Sequence, residues 1–325
     1  MRLLVLGGTS FVGRHLVDAA LAHGHEVTLF HRGRTNPHLF TDAEHRPGDR
    51  ATGDYASLAE GGWDATVDVT AYVPRHVDQA LDVLANRAGH YVLVSSVSAY
   101  DPARATPDED SPRHAGPDPD TEQVTAETYG PLKAACERHV EDRLPDGTWA
   151  IVRPTYVVGP HDPTDRFTYW ARVMDDGGRV PLAWPDAPLQ VVDARDLAAF
   201  MLRLAESRRP GRFDGVGPHG PLREMLAELA NPDHPYELVD VGAQRLAAER
   251  VTLPMVDGDP AAVPLMTRPG ERARAAGLRT RPVAQTARDT VAWDRERGRP
   301  ALSVGPAPEQ RAALLGQAPP YPDPG

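Results

Sequence analysis

Short apolar runs alternate with helix-like segments along the first half of the chain. The first run, residues 3–6, leads into two glycines and then into an apolar-periodic stretch over residues 11–22. Similar apolar runs follow at residues 26–30, 65–69, 90–95 and 149–153. Strands that alternate with helices form right-handed βαβ units, so the pattern predicts an α/β fold built on a doubly wound parallel sheet.

The charge balance limits the partners of the protein. The 325 residues include 35 Lys and Arg against 46 Asp and Glu, for a net charge of −11. Binding to nucleic acid or to an anionic membrane depends on basic side chains, and no apolar run reaches the roughly 18 residues of a membrane span. We therefore expect neither partner.

The single cysteine, Cys136, excludes an internal disulfide and favours a cytoplasmic location.

Residues 6–13, LGGTSFVG, join the first predicted strand to the first predicted helix. Glycines at such a turn let the backbone approach a pyrophosphate, which the free N–H groups and the positive dipole end of the helix can bind. The context of strand, glycines and helix therefore predicts a dinucleotide-binding loop of the Rossmann type.

The second predicted strand is followed by His31, Arg32, Gly33 and Arg34. An acidic residue at this point would bind the ribose 2′-hydroxyl of NAD, whereas arginine accommodates the 2′-phosphate of NADP. The segment has two arginines and no Asp or Glu, so NADP(H) is favoured and NAD(H) is the alternative.

Tyr129 and Lys133 are four residues apart in the segment YGPLK. Residues at this spacing share one face of a helix, so the phenol and the ammonium can face the same cofactor. Pro131 fits a helix best in its first turn, which predicts a helix over about residues 129–144. Lys133 is the only lysine, against 34 arginines, and its ammonium would stabilise a phenolate that transfers a proton.

The segment SSVSAY, residues 95–100, ends another apolar run. Together with the glycine loop and YxxxK, it resembles the extended short-chain dehydrogenase/reductase superfamily, which includes NAD-dependent epimerases and dehydratases. RPTYVVGP at 153–160 and QVVDARDLA at 190–198 match two further segments of that family, so the resemblance covers about residues 1–215. In the family pattern GxxGxxG, Ser10 replaces the middle glycine.

The resemblance implies hydride transfer between a nicotinamide and a carbonyl or hydroxyl carbon of a small substrate. It assigns carbonyl polarisation to Ser96, with Ser95 and Ser98 as alternatives. It assigns proton transfer to Tyr129, and ribose binding with tuning of Tyr129 to Lys133. The cofactor-binding residues expected from these motifs together are Gly7, Gly8, Thr9, Ser10, Phe11, Val12, Gly13, His31, Arg32, Arg34, Asp49, Arg50, Thr70, Ala71, Lys133, Pro154 and Thr155.

Departures from the family pattern bear on the substrate. Family dehydratases carry an Asp-Glu pair where this chain has Val97 and Ser98, so sugar dehydration is not expected. Nucleotide-sugar enzymes usually carry Asn and Arg where this chain has Tyr156 and Leu189, which weakens that substrate class. The expected function is an NAD(P)-dependent oxidoreductase. The alternatives are an epimerase acting through a transient ketone and a non-catalytic NAD(P)-binding or RNA-binding member, since the GGTxF and RG pattern also resembles plastid stem-loop RNA-binding proteins.

The chain is expected to divide into two lobes. Residues 1–159 would form the Rossmann domain, with residues 187–215 returning to its sheet. Residues 160–186 and 216–302 would form a smaller substrate-binding lobe, and residues 303–325 a partly disordered tail. The Pro- and Asp-rich residues 101–127 are expected to be a long loop, either a lid or a disordered segment.

Two further expectations concern assembly and metals. The resemblance implies a homodimer formed through helices at about residues 75–86 and 129–144, with an apolar face made of Leu81, Val83, Leu84, Ala135 and Val140. No metal site is expected, because His23 and His25, the closest pair among 13 histidines, flank a helix-ending glycine without ligand spacing.

Overall fold

The computed structural model describes residues 1–118, 121–256 and 258–316. Twelve strands and ten α-helices lie within these residues. The strands are β1 (Arg2–Leu6), β2 (Glu26–His31), β3 (Glu44–Pro47), β4 (Ala65–Asp68), β5 (His90–Val94), β6 (Trp149–Arg153), β7 (Tyr156–Val158), β8 (Gly178–Leu182), β9 (Pro188–Asp193), β10 (Gly211–Asp214), β11 (His219–Pro221) and β12 (Tyr236–Asp240). The helices are α1 (Phe11–Ala22), α2 (Pro74–Leu84), α3 (Ala126–Arg143), α4 (Arg166–Asp176), α5 (Ala194–Ser207), α6 (Leu222–Leu229), α7 (Gly242–Ala248), α8 (Glu271–Ala275), α9 (Val283–Glu296) and α10 (Pro308–Leu314).

A seven-stranded parallel sheet forms the centre of the fold, in the order β3–β2–β1–β4–β5–β6–β10. Side chains of a strand alternate between its two faces. Leu3 and Val5 therefore pack with α1 and α5, whereas Leu4 and Leu6 pack with α2 and α3. The predicted α/β fold with a doubly wound, Rossmann-type parallel sheet is confirmed.

The second lobe has its own core. It joins a three-stranded sheet (β11–β9–β7), the pair β8–β12 and helices α4, α6 and α9 around buried residues that include Phe167 and Trp170. Of residues 187–215, which we expected to return to the large sheet, β10 does join it and α5 packs on it. Strand β9 instead pairs with β7 and β11.

Residues 101–118 are fixed to the body of the protein. The Arg268 guanidinium donates hydrogen bonds to the carbonyls of Thr106 and Asp108, and Arg153 donates to the carbonyl of Glu109 at 2.9 Å. Of the two alternatives for this segment, a lid or a disordered loop, these contacts argue against disorder over residues 101–118, and residues 119 and 120 lie outside the described residues. In the expected tail, residues 308–314 form α10, whose Leu314 enters the second core; residues 317–325 lie outside the described part.

The apolar face expected for a dimer is used inside the protomer. Leu81, Leu84, Ala135 and Val140 are buried, and Val83 packs against the same core. The prediction of these residues as an exposed interface is wrong, because the apolar faces of α2 and α3 cover the sheet instead. No helix within the described residues is long and apolar enough to cross a membrane.

Candidate active site

A cleft of about 890 Å³ opens at the carboxyl ends of β1, β4 and β5. Strand order reverses between β1 and β4, and ligands of doubly wound sheets bind in the crevice at such a switch point. The cleft gathers nearly all the residues predicted from the sequence: Gly7, Gly8, Thr9, Ser10, Phe11, Val12, Gly13, His31, Arg32, Arg34, Asp49, Arg50, Thr70, Ser96, Tyr129, Lys133, Pro154 and Thr155. The predicted Ala71 is fully buried and lies behind the wall.

The glycine loop makes a turn that larger residues could not make. Gly7 has φ +115°, and a Cβ there would lie 2.6 Å from Val69 Cγ2. A Cβ on Gly13 would lie 2.8 Å from the backbone nitrogen of Gly8, so this glycine lets α1 pack directly on the loop. Ser10, in place of the family's middle glycine, is the exposed N-cap of α1 and adopts an extended φ of −142°. Its side chain is therefore accommodated without displacing the loop.

Helix α3 places Tyr129 and Lys133 on the cleft. It begins at Ala126 rather than at Tyr129, because Thr125 and Thr128 form a capping box. Pro131 consequently lies in the second turn, so the expected start of the helix is wrong by three residues. Gly130 allows the close approach of this turn, since a Cβ there would lie 2.3 Å from the carbonyl oxygen of Ser98.

Lys133 is held between two strand ends. The residue is only 3% exposed, and its ammonium donates hydrogen bonds to the carbonyls of Ala71 and Val94, both at 2.8 Å. The ammonium also lies 5.1 Å from the centre of the Tyr72 ring. The predicted Ala71 thus acts by orienting Lys133 with its carbonyl, and one ammonium proton remains for a ligand in the cleft.

Hydrogen bonds distinguish two of the three candidate serines, Ser95 and Ser96. Ser95 donates its hydroxyl proton to the buried Glu137, so that proton is committed. Ser96 Oγ accepts a hydrogen bond from the backbone N–H of Ser98 at 3.1 Å, which leaves the Ser96 hydroxyl proton free to donate. The arrangement favours Ser96 over Ser95 as the donor to a substrate carbonyl, and Ser98 also lines the cleft.

The turn after β2 is rigid. Gly33 N–H donates to His31 Nδ1 at 3.0 Å, His31 Nε2 lies 2.8 Å from His45 Nδ1, and His45 Nε2 lies 3.0 Å from the carbonyl of Phe40. Because Gly33 N–H can only donate, His31 Nδ1 accepts and His31 Nε2 donates to His45 Nδ1, whose Nε2 donates to Phe40. All three hydrogen bonds therefore form with both imidazoles neutral. Burial, followed by the neighbouring His45, lowers the pKa of His31.

Arginine side chains border this turn. Arg32 is exposed and has no carboxylate within 4.0 Å in the described part of the chain. Arg34 is 71% exposed and reaches Asp49 at 3.6 Å, an ion pair that solvent screens strongly. Both guanidinium groups are therefore available to an anion in the cleft.

Arg50 was predicted to bind the cofactor, but its guanidinium has a structural role. Its guanidinium forms a two-bond ion pair with the buried Asp68, at 2.6 and 2.8 Å, and also donates to Thr70 and to the carbonyl of His76. Arg50 lines the cleft, but its donors hold β4 and α2 together.

Three polar groups of the cleft wall have buried atoms without a hydrogen-bond partner among the described residues: Thr155 Oγ1, Asp162 Oδ2 and His76 Nδ1. Burial raises the pKa of Asp162, and burial together with Arg50 lowers the pKa of His76 to about 4. No local motif identifies Asp162 or His76, which were not predicted. Buried polar atoms are usually hydrogen-bonded, so these three unpaired atoms near the glycine loop are consistent with a cleft that binds a polar ligand such as a nicotinamide dinucleotide.

The fold and this site together define a nicotinamide-dependent enzyme of the Rossmann type. The chain belongs to the NAD dependent epimerase/dehydratase family, whose sequence model matches residues 3–214. The glycine loop, Ser96, Tyr129 and Lys133 all lie within the matched residues.

Solved structures with the same fold cover almost the whole chain. UDP-glucose 4-epimerase from Bifidobacterium longum, in complex with NAD+ and UDP, is 15% identical and matches with a TM-score of 0.67 over 92% of this chain and 99% of that one. Gre2 from Candida albicans, in complex with NADPH, is 15% identical, with a TM-score of 0.65 over 91% and 99% of the two chains. At these identities the likeness shows the fold alone.

One relative by sequence has a name that describes binding rather than catalysis. The chloroplast stem-loop binding protein of 41 kDa b from Arabidopsis thaliana is 25% identical over an alignment of 237 residues that covers 65% of this chain. The match spans 57% of the length of that relative.

Proposed function

We propose that the protein is an NADP-dependent oxidoreductase of the extended short-chain type, acting at a carbonyl or hydroxyl carbon of a small substrate. The convergence of Ser96, Tyr129 and Lys133 on the cleft that contains the glycine loop carries this proposal. The nicotinamide cofactor, when bound, supplies or accepts the hydride.

The side chains of the site divide the remaining chemistry. The free hydroxyl proton of Ser96 donates to the substrate oxygen and polarises the carbonyl. The Tyr129 phenol gives a proton to that oxygen during reduction and takes it back during oxidation. Lys133, immobilised by two backbone carbonyls, supplies an N–H for a ribose hydroxyl.

The preference for NADP(H) rests on the turn after β2. The hydrogen bonds of His31 fix the backbone at Gly33, and the exposed Arg32 and Arg34 flank it. A 2′-phosphate would pair with guanidinium groups that already lie in place.

The proposal is tested by fluorescence titration with NADPH and NADH, followed by NADPH oxidation assays with a panel of aldehydes and ketones. We expect NADPH to bind at least tenfold more tightly than NADH, and turnover with at least one carbonyl. Equal affinities would remove the NADP assignment. Binding without turnover on any tested carbonyl would favour the alternatives below.

An epimerase acting through a transient ketone is the second candidate, favoured by the matches to UDP-glucose 4-epimerases. Two positions argue against a nucleotide-sugar as the substrate. Tyr156 replaces the Asn that such enzymes usually carry, and Leu189, which replaces their Arg, is buried in the second core. Redox-neutral epimerases retain their cofactor, so release of stoichiometric NAD(P) on denaturing the purified protein would favour the epimerase.

A role in RNA binding is the third candidate, favoured by the Arabidopsis relative. The net charge of −11 opposes it. Fluorescence anisotropy with a labelled stem-loop RNA at physiological salt separates the cases, and a micromolar or tighter Kd would overturn our ranking.

Two further properties stay predictions. A homodimer through α2 and α3 would meet through charged side chains, since Asp78, Asp82, His139 and Arg143 form ion pairs on their outer face. Light scattering at micromolar concentration tests it, and a monomer would refute it. A cytoplasmic location is consistent with Cys136, which is fully buried and whose thiol pKa burial raises to about 12.

A further inference from the structure

His23, His25 and Glu206 form a cluster where α1 and α5 end, near the amino ends of β1 and β2 and opposite to the cleft. Glu206 Oε1 lies 3.1 Å from His23 Nδ1 and 2.8 Å from His25 Nε2, and one ligand atom from each residue lies within 4.8 Å of the others. The side chains of His23, His25 and Glu206 are 58%, 13% and 35% exposed. We propose that this cluster is a binding site for a divalent transition-metal ion of the Zn²⁺ class.

The local backbone explains how two histidines one residue apart reach the same point. Helix α1 ends in a Schellman motif, in which Gly24 N–H donates to Leu21 O at 2.9 Å and His25 N–H to Ala20 O at 3.0 Å. Gly24 has φ +75°, the left-handed conformation that this motif requires. His23 and His25 flank this turn, and both imidazoles reach the last turn of α5.

Core packing holds the third ligand in place. Helices α1 and α5 lie side by side, and Leu16 and Ala20 share a core with Met201 and Ala205. Glu206 follows Ala205 directly, so its position relative to the α1 turn is set by buried contacts. The backbone positions of the three ligand residues are therefore fixed, which lowers the cost of binding an ion.

The electrostatics of the site favour a cation. Both helices present their negative C-terminal ends here, and neither α1 nor α5, which are described in full, has a basic residue in its last turn. The Glu206 carboxylate adds a further negative charge. Two positive groups lie beside these elements: the Met1 amine, 3.4 Å from His25 Nδ1, and Arg208, which follows α5 directly and whose guanidinium is 3.9 Å from Asp64.

The donor set selects the class of ion. Imidazole nitrogens favour Zn²⁺, Ni²⁺, Co²⁺ or Cu²⁺, whereas Mg²⁺ and Ca²⁺ prefer sites made of oxygen ligands. With metal–ligand bonds of about 2.0–2.1 Å, adjacent ligand atoms of a tetrahedral site are about 3.3 Å apart. The two separations from Glu206 Oε1, 2.8 and 3.1 Å, need only a small widening, and the two imidazole nitrogens lie within 4.8 Å of each other. Water would fill the remaining position.

The experiment uses the full chain with no residue added before Met1, after removal of a C-terminal tag and of metals by chelation. Isothermal titration with Zn²⁺ and the absorption spectrum with Co²⁺ measure binding, and Tm measures its effect on stability. We expect one ion per chain, a Kd of about 10 μM or tighter, and a Tm rise of about 3–5 °C at 100-fold excess over Kd. His25→Gln and Glu206→Gln should each weaken binding at least tenfold.

His139→Gln is the matched control. His139 also pairs with a carboxylate, Asp78, at 2.9 Å, and this variant should bind Zn²⁺ like the parent. The proposal is overturned if the parent binds no Zn²⁺ below about 100 μM, if His25→Gln binds as the parent does, or if Mg²⁺ competes equally. The outcome is independent of the proposed reaction, since no substrate or cofactor enters the measurement.

Discussion

Arg153 and Glu137 form a two-bond ion pair that is shut off from solvent. Arg153 Nε donates to Glu137 Oε1 at 2.8 Å and Nη2 to Oε2 at 2.6 Å, and neither side chain is more than 1% exposed. Burial acts to raise the pKa of Glu137, but Arg153, together with Arg113 and the Ser95 hydroxyl, outweighs it and keeps that pKa below its usual range. Because Ser95 donates to the same carboxylate, the pair supports the turn that carries Ser96.

Removing one member of this pair should destabilise the protein strongly. Glu137→Leu leaves the Arg153 guanidinium buried without its carboxylate, which costs about 3–5 kcal/mol. Urea unfolding measures the loss, and the double variant Glu137→Leu with Arg153→Met should be more stable than Glu137→Leu alone. A loss below about 1 kcal/mol in the single variant would contradict this account.

Stability should fall as the pH drops below the ordinary pKa of histidine. Burial and then Arg14 lower the pKa of His161 to about 4, and burial lowers the pKa of the neighbouring His15. Between pH 6.5 and 4 the unfolded chain therefore binds more protons than the folded one, so stability is present above about pH 6.5 and is lost toward pH 4.

The double variant His15→Gln with His161→Gln tests the origin of this dependence. Its urea midpoint should decline less between pH 7.5 and pH 5 than that of the parent. His219→Gln, at an exposed histidine, is the control and should follow the parent. Parallel pH profiles for all three proteins would rule out these two histidines as the cause.

Arg32→Asp should change the choice of cofactor. The substitution places a carboxylate where a 2′-phosphate would lie, so it repels NADP(H) and can accept from the 2′-hydroxyl of NAD(H). We expect the ratio of the NADPH and NADH affinities to fall by at least tenfold. Arg223→Asp, on the distant α6, should leave the ratio unchanged, and an unchanged ratio in Arg32→Asp would show that the turn does not bind the phosphate.

Lys133→Arg should weaken both activity and cofactor binding although it keeps the charge. The compact ammonium donates to two carbonyls in a buried space, and a planar guanidinium cannot reproduce that geometry. Kd for NADPH should rise at least fivefold and kcat should fall. Arg143→Lys, at the exposed end of the same helix, should leave both values at the parental level. Parental values in Lys133→Arg would mean that Lys133 does not contact the cofactor.

The large sheet could be predicted because its central strands are buried on both faces and are written as continuous apolar runs. The site could be predicted where one short segment carries the signal, as the glycine loop and YxxxK do. The start of α3 was misplaced because the capping box of Thr125 and Thr128 outweighs the preference of Pro131 for a first turn.

The features that could not be predicted depend on contacts between residues far apart in the sequence, and no local sequence pattern shows such contacts. Arg50 is occupied by Asp68, 18 positions away. The segment at Thr106 is anchored by Arg268, 162 positions away. Glu206 meets His25 only because α1 and α5 pack together, 181 positions apart in sequence.

The turnover of Tyr129→Phe tests the central claim most directly. The variant keeps the ring but has no transferable proton, so on a substrate identified with the parent kcat should fall by about 10² or more. The Kd for NADPH should stay within about twofold, because the glycine loop binds the pyrophosphate independently of Tyr129. A kcat close to that of the parent, with NADPH bound normally, would contradict the assignment of Tyr129 as the acid and base of the reaction.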